Sequence, residues 1–117
     1  MAGISTHVLD SSSGRPAAGV RIDFSAFDGT SWKLIKTITT NKDGRTDAPV
    51  LAPADAKVGQ YELLFYVGDF FQRPGANLSE APFLDTVPVR FSIFDAKQHY
   101  HVPMLCSGWS CSTYRGS

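Results

Sequence analysis

No run of lysine or arginine occurs in this sequence, and its charges cancel: eleven basic residues stand against eleven acidic ones. A chain without a basic stripe offers no electrostatic footprint to nucleic acid and no polybasic patch to a membrane. Long apolar runs are missing too; none approaches the roughly 20 residues that span a bilayer as a helix. The opening segment MAGISTHVLD lacks the charged-then-apolar order of a secretory leader, so the expected location is the cytoplasm. Cysteine is scarce. Cys106 and Cys111 are too few for a disulfide framework, and a reducing compartment is expected to leave them as thiols. Familiar enzyme signatures are absent as well, with no G-x-S-x-G elbow, phosphate-binding loop, dinucleotide fingerprint or HExxH helix. No cofactor is therefore expected, which leaves hydrolysis, isomerisation or plain binding.

What the sequence does contain is strand material. Its 117 residues, 43% hydrophobic and 12% aromatic, suffice for one packed core, and no repeat or linker divides them, so residues 1–117 read as a single domain. Period-two alternation dominates, without a convincing helical stripe. Val20, Ile22, Phe24 and Ala26 alternate with Arg21, Asp23 and Ser25; Tyr61, Leu63, Phe65 and Val67 share a face; Val87, Val89, Phe91 and Ile93 alternate with Pro88, Arg90 and Ser92. Ser-Ser-Ser-Gly (11–14), Asp28-Gly29, Asn41-Lys42-Asp43-Gly44 and Pro74-Gly75 supply turn chemistry between the runs. The pattern predicts strands at about 4–10, 20–28, 32–40, 45–48, 60–68, 86–94, 99–107 and 110–116, arranged as an all-β sandwich. A short helical turn is expected at 69–74, capped by Asp69 and stopped by Pro74.

Few residues carry chemistry. Strand parity puts Ile4, Thr6 and Val8 on one face and His7 on the other with Ser5 and Leu9; His7 is either a plain surface histidine or one member of a site. In HYHVP, His99 and His101 share a face opposite Tyr100, Val102 and Met104, a spacing that suits partly exposed strand residues, an acid–base group, or two ligands of a metal. Zinc sites want three or four protein ligands, and the pair lacks a third, so no metal is expected. Arg45 follows Asp43-Gly44 and begins the predicted fourth strand. Its guanidinium is either a solvated strand-end charge or a fork of donors for a planar imide and its developing anion. Tyr114 either packs its ring on the sandwich or holds a substrate ring. The chain ends STYRGS (112–117), unusual material for a terminus, which ordinarily frays.

STHVLD, GRPA (14–17), KDGR (42–45), HYHVP and the terminal YRGS together resemble the transthyretin-like 5-hydroxyisourate hydrolases, enzymes of purine degradation, from about Ile4 to Ser117. The hormone carrier transthyretin resembles the same sandwich but lacks YRGS and the catalytic histidines, so the chain looks like the enzyme branch. The resemblance implies an eight-stranded two-sheet sandwich of prealbumin type, a dimer of dimers with active sites in a channel between dimers, and active-site positions for His7, Arg45, His101, Tyr114 and Ser117. Parity agrees, since His7, His101 and Tyr114 fall in outward sets on three strands, and Gly116 would keep space open for a ligand. The sequence departs from the family in MLCSGWSC (104–111) and in a long stretch at 72–85.

On that resemblance the expected reaction is hydrolysis of 5-hydroxyisourate to 2-oxo-4-hydroxy-4-carboxy-5-ureidoimidazoline. Catalysis would fall to His7, Arg45, His101 and Ser117, and substrate binding to His7, Arg45 and Tyr114. The alternative is a carrier that binds a planar or aromatic molecule in the channel without catalysis. A metal-binding protein using His99 and His101 is the third reading.

Overall fold

The computed structural model describes residues 2–72 and 82–116. Eight strands run in chain order: β1 (Gly3–Asp10), β2 (Arg15–Pro16), β3 (Arg21–Phe27), β4 (Trp32–Thr39), β5 (Gly59–Phe65), β6 (Val87–Ile93), β7 (His99–Cys106) and β8 (Cys111–Thr113). They form two four-stranded sheets, ordered β2-β1-β7-β8 and β4-β3-β5-β6. This is the expected all-β sandwich. The single parallel pairing among them joins β1 to β7.

The alternation read from sequence builds the core. Ile4 and Val8 of β1 and Tyr100, Val102 and Met104 of β7 face Ile22 and Phe24 of β3 and Tyr61, Leu63 and Phe65 of β5, all buried. Thr6, on the same inward set, satisfies its hydroxyl by donating to the Val102 carbonyl at 2.7 Å, as a buried hydroxyl must. Asp10 closes β1. Burial opposes its charge, but donors from the Ser12 and Ser13 side chains and amides prevail and hold its carboxyl below the usual range.

Three expectations need correction. No strand forms at 45–48; that segment is a loop along the free edge of β1, bonding it only near its ends, where the Val8 amide donates to the Gly44 carbonyl at 2.8 Å and Ile4 bridges Leu51. Pro49 and Pro53 lack the N–H groups a ladder would need, and the eighth strand is instead the two-residue β2. The short helix α1 spans Val67–Phe71 and begins at Tyr66, so Asp69 lies inside its first turn and caps nothing; Pro74 falls outside the described residues. Cys106 and Cys111 are joined as a disulfide. They are direct partners across the β7–β8 hairpin with Cα atoms 4.2 Å apart. The adjacent Ser107–Ser110 pair carries the amide bond, which makes the cysteines a non-hydrogen-bonded pair, the position where opposed side chains come closest.

Candidate active site

The parallel register of β1 on β7 sets Ser5 opposite His101, Gly3 opposite His99 and His7 opposite Pro103. Ser5, His7, His99 and His101 all lie half-buried on the outer face of this sheet. There the Ser5 hydroxyl joins the two imidazoles of β7: its Oγ is 2.7 Å from His99 Nε2 and 2.8 Å from His101 Nδ1. His99 Nδ1 lies 3.1 Å from the Ala2 carbonyl oxygen. His101 is held below the usual histidine range, first by burial and then by the electrostatic influence of Arg45, His99 and His7. It therefore favours the neutral imidazole near pH 7.

Arg45 reaches this face from the edge loop. The Asn41 side-chain carbonyl accepts from the amides of Asp43 and Arg45 at 2.9 and 3.2 Å, and Arg45 returns its carbonyl to the Asn41 amide at 2.7 Å. Gly44 makes the approach possible. At φ 74°, a Cβ there would stand 2.3 Å from the Val8 carbonyl oxygen, so no larger residue lets the loop come this close. Arg45 is exposed, and its guanidinium enters no ion pair or side-chain hydrogen bond among the described residues. With Ser5, Thr46, Asp47, Pro49 and His99 it lines a hollow of about 260 Å³, just under the roughly 300–1,000 Å³ of closed small-molecule sites.

The terminal segment docks on the same strand. The Gly116 amide donates to the His101 carbonyl at 2.8 Å, and a Cβ at Gly116 would stand 2.6 Å from His101 Cδ2. The space that this glycine keeps open is thus occupied by the His101 ring itself. Arg115 clamps the tail: it donates to the His99 carbonyl at 3.0 Å and lies over the Tyr100 ring at 4.3 Å. Tyr114 is 62% exposed and lines a different hollow, with Phe91, Phe94 and Tyr100. Ser117 lies outside the described residues.

The structure thus gathers His7, Arg45 and His101 on one face and sets Tyr114 apart within the single chain. Two contributors were not singled out by the sequence reading, Ser5 and Arg115. Ser5 carried a signal, since parity placed it on the side of His7, but nothing local revealed that β1 would lie parallel to β7. Among the described residues, no three His, Cys, Asp or Glu side chains group as a metal site.

Residues 4–116 match the model of the HIUase/Transthyretin family. The chain belongs to that family. It is 49% identical to 5-hydroxyisourate hydrolase 2 of Rhizobium meliloti (strain 1021), over 97% of this chain and 95% of that protein. Among solved structures it resembles Klebsiella pneumoniae 5-hydroxyisourate hydrolase, with a TM-score of 0.81 and 34% identity over 100% of this chain and 94% of the other. It also resembles (S)-allantoin synthase, with a TM-score of 0.89 and 42% identity over 98% of this chain; there it spans 43% of the longer chain.

Proposed function

We infer that this chain hydrolyses 5-hydroxyisourate, as its relatives' names state for them. The observation that carries this reading is a neutral imidazole, His101, on the same face as an uncommitted guanidinium, Arg45, whose charge it feels. His101 takes a proton from water as the water oxygen bonds to C6. Arg45 donates to the oxyanion that forms there, a role that preorganised donors fill at about 2.7–4 kcal/mol each. Collapse of the tetrahedral intermediate breaks the N1–C6 bond, and N1 leaves as a ureido nitrogen carrying the proton that the histidines return. The product keeps the C6 carbon as a carboxylate. His7, two residues along β1 from Ser5, assists proton transfer at the ring, and Ser117 is assigned to orienting His101 or the water.

The shallow hollow favours closure by another copy. We place Tyr114 in the substrate contact that such a copy completes, in a homotetramer built as a dimer of dimers and working in the cytoplasm. The reaction needs only imidazole, guanidinium and water, so activity is expected to survive dialysis against a strong chelator; loss that zinc restores would overturn the metal-free chemistry. Light scattering should give four chains per particle. The test of the function is ultraviolet decay of freshly made 5-hydroxyisourate, which the protein should accelerate well beyond spontaneous opening. Binding without acceleration would make the chain a carrier.

A further inference from the structure

Ser5 and His99 have no part in the reaction as written, yet they hold the base. The hydrogen-bond chain has a defined direction because it starts at a group with no proton to give. The Ala2 carbonyl can only accept, so His99 Nδ1, 3.1 Å away, carries its hydrogen. With a single ring proton, His99 then has a bare Nε2. Ser5, 2.7 Å from that nitrogen, must spend its single proton there, which leaves its oxygen as an acceptor for His101 Nδ1 at 2.8 Å. His101 Nδ1 is therefore protonated and Nε2 is bare. The Cγ–Cδ2 edge of the ring is the one packed on Gly116.

We propose that Ser5 and His99 are positioning residues that select the Nδ1–H tautomer of His101 and so present Nε2 as the base toward the substrate. The proposal rests on the hydrolase reading for its consequence but not for its geometry.

Imidazole nitrogen-15 spectra of the labelled full chain near pH 7.5 read the tautomer directly, with His101→Gln used to assign the signal. The wild type should show a protonated Nδ1 and a bare Nε2 at His101. Ser5→Ala should move His101 toward the Nε2–H form and lower kcat about tenfold or more, part of the 10²–10⁴ that a placed base supplies, with KM within about twofold and circular dichroism unchanged. Ser5→Thr keeps the hydroxyl and should restore both tautomer and kcat, which a merely structural role for Ser5 would not require. An Nε2–H tautomer in the wild type, or an unchanged tautomer and kcat in Ser5→Ala, overturns the proposal. A wild-type protein with the expected tautomer that fails to accelerate hydroxyisourate decay would instead overturn the hydrolase reading alone.

Discussion

On the outer face of the β4-β3-β5-β6 sheet, charged side chains are matched. Arg21 meets Asp23 at 3.2 Å and lies over the Tyr66 ring, while Arg90 meets Glu62 at 2.8 Å and lies over Trp32. Burial works against the charge on Asp23, yet hydrogen bonds from Thr37, Tyr66 and Arg21 hold its carboxyl below the usual range. The outer face of the β2-β1-β7-β8 sheet is arranged differently. Its two β7 histidines are tied through one neutral hydroxyl, and the neighbouring guanidinium of Arg45 is left without a protein acceptor among the described residues. Exposed ion pairs contribute roughly 0–1 kcal/mol each, so the first face is locally self-satisfied and adds little beyond that. The second leaves the Arg45 guanidinium without an ion-pair partner among the described residues.

The largest break in this contrast should come from the base. His101→Ala is expected to lower kcat/KM by about 10²–10⁴-fold with the β-rich circular dichroism intact, because the ring is only half-buried. Deleting Tyr114 to Ser117 removes the Gly116 and Arg115 contacts to β7 as well as the phenol. It should cost at least about 100-fold, or ~2.7 kcal/mol of transition-state stabilisation, as measured on the still-folded protein. Gly116→Ala sharpens the point with a single methyl. Its Cβ would meet His101 Cδ2 at 2.6 Å and push the ring, for a loss of about 10–100-fold.

Much of this face was legible beforehand. Period-two parity placed His7 away from Ile4 and Val8, and His99 and His101 away from Tyr100 and Val102, because a strand exposes alternate residues whatever its neighbours are. What parity cannot give is which strand lies beside which. Ser5 meets His101 across 96 positions of chain, and that contact depends on a parallel pairing that no local pattern encodes. The edge loop at 45–48 was misread for a related reason: it runs where a strand would run, but its prolines and its Asn41 turn, not ladder bonds, decide its path. The disulfide was missed because the expectation came from compartment and count, whereas the hairpin register alone puts the two cysteines in contact.

Smaller effects follow. The His101 ring is held below the usual value of about 6.5, so it stays uncharged until pH falls past that point; kcat/KM should be flat from neutrality downward and fall only below about 6.5. A limb centred well above that value would contradict a desolvated base among cations. Replacing both Cys106 and Cys111 by Ser should act on stability alone, by up to roughly 2 kcal/mol for so short a closed loop, with turnover within about twofold. Thermal unfolding with and without reductant checks the size of that contribution.

The most direct test sets the two faces against each other through one kind of residue. In matched proteins, kcat/KM for 5-hydroxyisourate should fall about 10²–10³-fold in Arg45→Ala, the loss of one preorganised donor, and stay within about twofold in Arg90→Ala, whose guanidinium is already committed to Glu62. Comparable losses in both variants, or an Arg45→Ala enzyme as fast as the wild type, would contradict the assignment of the chemistry to the β1–β7 face.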